Sequence, residues 1–291
     1  MPGRRGKVMN DTVDTPYADW IGQRETRRDM IGMGTAQRLQ AVLETPAAPL
    51  EKGDPLPPLW HWIFFLTAVP QSQLGGDGHP KPGSFGRPID LPRRMFAGAD
   101  ITYHAPLTLG ALAYRDSEIT AIEEKAGKSG KLTFVTMVNR ITQQDTLCLE
   151  EKQFIVYRDT GPPVWLPEPR PLENLPENAN SRSVTPDSTL LFRYSALTFN
   201  THRIHYDEAY ATGEEGYPGL VVHGPLTATL LAAMAAEHGA LRRFKFSGRA
   251  PLFAGQPIRL SATPGGDGTL ALKAERCDGA LAVEAAAEIA R

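Results

Sequence analysis

Apolar and polar positions alternate along most of the second half of the chain. Leu241 to Gly248, Ile258 to Thr263, Thr269 to Cys277 and Leu281 to Ile289 alternate or run apolar as strands do, with Gly-rich turns such as 264–268 between them. In the first half Met95 to Tyr103, Leu112 to Ile122, Leu132 to Ile141 and Leu147 to Tyr157 read the same way. The period changes after Pro225, where Leu226, Leu230, Ala233 and Met234 recur at helical spacing. Pro225 suits a first helical turn, where an N–H would have no partner, and Gly239 marks the stop. A weaker helix is expected from Ala36 to Glu44. An apolar helix wrapped by antiparallel strands predicts a layered α+β fold.

Prolines and polar residues crowd Gly161 to Pro186, a density that an interior strand or helix does not tolerate. We place a linker at 161–186, between an N-terminal unit at 1–160 and a C-terminal unit at 187–291. The flanking halves share an order of features. Arg93-Arg94 precedes Ala105-Pro106-Leu107-Thr108-Leu109-Gly110, and Arg242-Arg243 precedes Ala250-Pro251-Leu252-Phe253-Ala254-Gly255, with strand-like runs after each. Duplication explains that order better than coincidence.

Composition narrows the function classes. A net charge of −2 gives no electrostatic case for nucleic acid or an anionic membrane. Hydrophobic residues at 41% and charged residues at 22% are those of a soluble globular protein. The basic N-terminus has no apolar core behind it, so a cytoplasmic protein is expected. Leu59 to Val69 is too short to span a bilayer, and His223 and Pro225 break the run from Leu220 to Ala236. Cys148 and Cys277 share no ligand spacing and both fall in strand-like runs, which reads as buried reduced thiols.

The candidate chemistry lies between Phe192 and Met234. His205 can act as both base and acid, because an imidazole titrates near neutral pH. Asn200 stands five residues earlier and can orient a water, though an amide cannot take its proton. Gly224 opens the apolar helix, where an N–H without an intrahelical partner meets the positive end of the macrodipole and can hold a developing oxyanion. Asp207 reads as an N-cap, and His223 as a packing or orienting residue. Together these parts suit addition of water to an α,β-unsaturated thioester. His202, His205, Asp207 and His223 lack a metal-ligand spacing. No G-x-S-x-G elbow is present, and the Leu74 to Gly78 glycines lack a nucleotide-binding context.

The stretch FRYSALTFNTHRIHYDEAYATGEEGYPGLVVHGPLTATLLAAM resembles the R-specific hydratase motif of the MaoC-like superfamily. It is most similar to the branch containing hydroxyacyl-thioester dehydratase type 2 and the mesaconyl-C4-CoA and itaconyl-CoA hydratases. Leu59-Trp60-His61-Trp62 and Leu91-Pro92-Arg93-Arg94-Met95 resemble that branch's N-terminal dehydratase-like domain. The resemblance implies a double hot-dog, with a degenerate first unit acting as lid and binding wall and a catalytic second unit. It further implies a homodimer acting on acyl-CoA, with no metal or redox cofactor and coenzyme A only as part of the substrate.

The chain keeps the motif's spacing but replaces its carboxylate. Better-known R-specific hydratases read Gly-Asp-x-Asn-Pro-Ile-His, and here Phe199-Asn200-Thr201-His202-Arg203-Ile204-His205 has an amide in place of the aspartate. A neutral Asn200 would not repel a substrate carboxylate near the β-carbon, and Arg203 could supply a counter-charge. This points to a branched C5 dicarboxylic acyl-CoA. Arg94 is a candidate for the CoA phosphates, His223 a candidate substrate contact, and Trp60, with Trp62 and Phe64, a candidate tunnel wall. A carrier-protein dehydratase, a hot-dog thioesterase and a site-depleted partner subunit are the rival readings.

Overall fold

The computed structural model describes residues 17–45, 48–85, 87–127, 130–159 and 164–290; the basic start of the chain and residues 161–163 of the Pro-rich segment lie outside them. Among the described residues ten strands form one antiparallel sheet. They are β1 (Arg24–Met30), β2 (Arg93–Tyr103), β3 (Leu112–Gly127), β4 (Gly130–Gln143), β5 (Thr146–Arg158), β6 (Asn180–Val184), β7 (Leu241–Gly248), β8 (Ile258–Pro264), β9 (Thr269–Glu275) and β10 (Leu281–Ile289). Their order is β1-β3-β4-β5-β2-β7-β10-β9-β8-β6. Four α-helices accompany them: α1 (Met33–Val42), α2 (Ser188–Thr198), α3 (Glu208–Gly213) and α4 (Gly224–Ala236).

Read outward from the β2–β7 junction, the two halves have the same layout. The repeated Ala-Pro-Leu turns also make the same bonds. Ala105 N–H donates to Cys148 and Ala250 N–H to Ala282, at 3.1 and 3.3 Å. Gly110 and Gly255, both at positive φ, donate to Ile31 and Pro186, each just past the edge strand of its half. The six-residue match in the sequence thus marks equivalent corners of a duplicated unit.

The halves differ in what fills them. Helix α4 lies against β7 to β10 and is apolar around most of its circumference, with Leu226, Ala228, Leu231, Ala232, Met234 and Ala235 all buried. Leu230 and Ala233 are less buried than their neighbours, so the helix is enclosed on most sides instead of presenting one stripe. In the first half α1 is short and polar, and a single turn at Trp60–Ile63 helps fill the space. A buried polar network completes it. Glu151 accepts from Trp62 Nε1 at 2.7 Å, Asn139 Nδ2 at 3.0 Å and Gln153 Nε2 at 2.9 Å, with His61 Nε2 at 3.5 Å. Burial alone would raise the Glu151 carboxyl, but His61 and these donors hold it below its usual range.

Three elements were not foreseen. Strand β1 turns Glu25, Arg27 and Asp29 inward, so it carries no apolar alternation. Strand β6 occupies part of the expected linker and pairs only with β8, on the sheet edge where a polar strand is tolerated. Helix α2 begins at an Asp187 cap that accepts from Leu190 N–H. Cys277 lies in the turn after β9, not in a strand as expected; both cysteines are free and buried.

Candidate active site

Helix α2 ends at Phe199, whose left-handed backbone (φ 49°) turns the chain sharply. Asn200 follows, donating its N–H to Ser195 at 2.9 Å. Its side-chain Oδ1 accepts from His202 N–H at 3.0 Å, an Asx turn that leaves Nδ2 without a bond among the described residues. The single turn Arg203–His205 comes next. The first half of the chain clamps this loop: Arg203 N–H donates to Asp77 O at 3.0 Å, and the Thr201 hydroxyl donates to Gly78 O. Gly78 (φ +88°) has to be glycine, because a Cβ there would lie 1.8 Å from Thr201 O.

His205 is buried, and its Nδ1 lies 2.7 Å from Val221 O. A carbonyl only accepts, so Nδ1 carries the proton and Nε2 is left as the basic nitrogen. The ring stacks on His223 at 3.7 Å between centroids. His223 has no accessible surface and lies behind His205; its Nε2 is 2.8 Å from Ser195 Oγ on α2. On the other side His202 meets His205 edge-on at 5.6 Å, and His79 from the first half meets His202 at 4.2 Å. Four imidazoles therefore form one contiguous row.

Burial governs the proton affinities of His205, His223 and His79. It drives His205 well below the usual histidine range, with His223 and His202 lowering it further and the bond to Val221 opposing them. Burial likewise lowers His223 to about 3 and His79 to about 4. Carboxylates flank the row. Asp77 is 3.3 Å from His79 Nδ1 and 2.8 Å from Arg87 Nη1. Burial would raise Asp77, yet His79 and Arg87 hold it well below the carboxylate range. Glu215 lies 3.7 Å from His202 Nε2 and 3.1 Å from Arg93 Nε, and it too is held low despite its burial.

Gly224 opens α4 with His223 as N-cap, and among the described residues no group accepts its N–H. A Cβ built on it would lie 3.9 Å from the Phe96 carbonyl of β2, so the helix start abuts the first half. The other expected contacts are placed as follows. Arg203 pairs with Asp207 at 2.8 Å and lies over the Tyr210 ring, so its charge is already matched. Trp60 is 3% exposed and packs in the main core, while Trp62 meets Phe96 and Phe246. Arg94 sits on β2, and none of the described residues pairs with it. Asp77, His79, Ser195 and Glu215 were not anticipated. Leu74 to Gly78 reads as a glycine-rich loop, and nothing in its pattern signals contact with Thr201 across more than a hundred residues.

The family described as hydroxyacyl-thioester dehydratase type 2 matches residues 59–254. The mesaconyl-C(4)-CoA hydratase of Chloroflexus aurantiacus is 51% identical over 273 residues, covering 93% of this chain and 96% of that one. A solved MaoC-like dehydratase superposes with a TM-score of 0.70 at 14% identity, over 94% of this chain and all of that one. A Mycobacterium tuberculosis protein described as a double hot-dog fold gives 0.57 at 14% identity, over 94% and 97%. The ten-stranded sheet with its enclosed helix is thus an α+β double hot-dog.

Proposed function

Given that the chain belongs to the hydroxyacyl-thioester dehydratase type 2 family and is a hydratase, we propose that it adds water reversibly to a short branched dicarboxylic acyl-CoA, mesaconyl-C4-CoA first among candidates. The observation that carries this reading is the neutral, buried His205 with its proton fixed on Nδ1 by Val221, beside an unpaired helix-start N–H at Gly224.

In the forward direction, His205 Nε2 and Asn200 Nδ2 hold a water. His205 takes one proton as the oxygen bonds to the β-carbon, and the π-electrons move to the thioester oxygen. Gly224 N–H and the α4 dipole stabilise that enolate, and His205 returns the proton to the α-carbon. One H and one OH have then been added, and no net electrons are transferred, so no redox cofactor is called for. Mesaconyl-C4-CoA bears its free carboxylate on the β-carbon, beside the attacked position. An aspartate at 200 would repel it and Asn200 does not. Among the described residues no helix is long and apolar enough to cross a membrane. Action in the cytoplasm as a homodimer completes this reading, the dimer being supported by exposed Met30, Met33 and Phe192 near the α1–α2 groove.

A panel of acyl-CoAs scored for an 18 Da mass gain tests the proposal. Mesaconyl-C4-CoA should be converted faster than crotonyl-CoA, and His205→Ala should lose about a thousandfold or more in kcat. Thiol release without water addition would indicate a thioesterase, and a preference for crotonyl-CoA would remove the dicarboxylic substrate.

A further inference from the structure

Several buried polar atoms of the described residues have no hydrogen-bond partner, and two of them belong to neighbouring strands. Arg94 on β2 and Tyr157 on β5 face each other in register across the antiparallel ladder. The Arg94 Nε and the Tyr157 hydroxyl are both buried, and among the described residues neither finds a hydrogen-bond partner; no described carboxylate pairs with Arg94 either. Buried donors left unpaired are uncommon in folded proteins and call for a ligand or a water. A guanidinium and a phenol side by side form a carboxylate receptor, one offering a charged planar fork and the other a single O–H.

Their position ties them to the chemistry. Arg94 shares its face of β2 with Phe96, two residues or about 6.7 Å along the strand. The Phe96 carbonyl is the group closest to a Cβ placed on Gly224. Phe96 also packs against the cluster that contains Tyr157. On the other flank Arg94 acts on His79, which stands in the imidazole row with His202 and His205. Arg94 therefore lies two residues along β2 from the carbonyl that the start of α4 abuts, and within electrostatic reach of His79. Every other arginine around the site is already engaged: Arg87 by Asp77, Arg93 by Glu215 and Arg203 by Asp207.

We propose that Arg94 and Tyr157 bind the free carboxylate of the dicarboxylic acyl group and so select for it over uncharged enoyl chains. This rests on the substrate reading above and names the receptor, a role distinct from holding the CoA phosphates.

The experiment measures wild type, Arg94→Gln, Arg94→Lys and Tyr157→Phe on mesaconyl-C4-CoA and crotonyl-CoA, with free CoA as inhibitor. Arg94→Gln should lose about a hundredfold in kcat/KM on the dicarboxylic thioester and stay within about threefold on crotonyl-CoA. Arg94→Lys should recover part of the loss, Tyr157→Phe should lose about tenfold on the first substrate only, and CoA inhibition should be unchanged. Equal losses on both substrates, weaker CoA inhibition, or no loss at all would overturn the receptor while wild-type preference for mesaconyl-C4-CoA still stood. Wild type that fails on mesaconyl-C4-CoA yet turns over crotonyl-CoA would instead sink the substrate reading itself. Thermal midpoints and Tyr157→Phe, which removes only a hydroxyl, separate loss of binding from loss of fold.

Discussion

At Asn200 the turn and the proposed chemistry divide one amide between them. Its Oδ1 already accepts from His202 N–H, which leaves Nδ2 as the free donor for a water. An aspartate could cap the same turn but would present a second anionic oxygen where the amide presents a donor. Asn200→Asp should therefore cost more than tenfold in kcat/KM on mesaconyl-C4-CoA and clearly less on crotonyl-CoA, read as a ratio from initial rates. His205 makes a second residue-level prediction. Its proton affinity is lowered, so the basic form persists below pH 6.5. The profile of kcat/KM should show no acid limb centred near the ordinary histidine value and should fall only at lower pH. The spacing of Asn200, His205 and Gly224 was legible in the sequence because all three lie in one continuous stretch. The ring stack on His223 and the proton lock at Val221 were not, since neither follows from residue type or spacing.

Helix α4 carries both a packing duty and a proposed chemical one, and its first residue allows the two to be separated. Gly224 follows a His223 already in extended backbone (φ −62°, ψ 126°), which a following proline accepts. The first helical position needs no N–H for the helix itself. Gly224→Pro should remove the donor at a cost of about 3 kcal/mol in the transition state, or a hundredfold or more in kcat, while the thermal midpoint reports separately the strain of a second proline before Pro225. An unchanged kcat would show that the enolate oxygen is held elsewhere. The same contrast explains which elements could be read in advance. Strands β7 and β10 have apolar alternation because one face meets α4, and their expected bounds match those observed. Strand β1 aims Glu25, Arg27 and Asp29 inward, where Arg27 bonds Glu25 and Leu66 O while Asp29 accepts from Phe65 N–H. An inner face built from mutually satisfied charges has no hydrophobic period to detect.

For the molecule as a whole, burying His79, His205 and His223 where the halves meet makes stability depend on pH. The duplicated plan was visible in the repeated Ala-Pro-Leu turn, but the clamp of Asp77, Gly78 and His79 on the second half appears only in three dimensions. In the unfolded chain each histidine titrates near 6.5. In the folded protein His79 falls to about 4 and His223 to about 3, with His205 also depressed. Between those values and 6.5 the unfolded state binds more protons, so stability declines as pH falls. Each such histidine contributes a slope of about 1.4 kcal/mol per pH unit while its unfolded form is protonated and its folded form is not. Asp77 and Glu215, both held low when folded, add the same sign of dependence only below the unfolded carboxylate values near 4. Urea midpoints should hold steady from pH 8 to 7 and then drop steeply between 6 and 4.5. His79→Gln should flatten that drop even if it lowers the midpoint throughout, because it removes one of the titrating groups. A midpoint that stayed level down to pH 5 would mean that the imidazole row is open to solvent and protonates without cost. A base as secluded as His205 is proposed to be could not then be part of it.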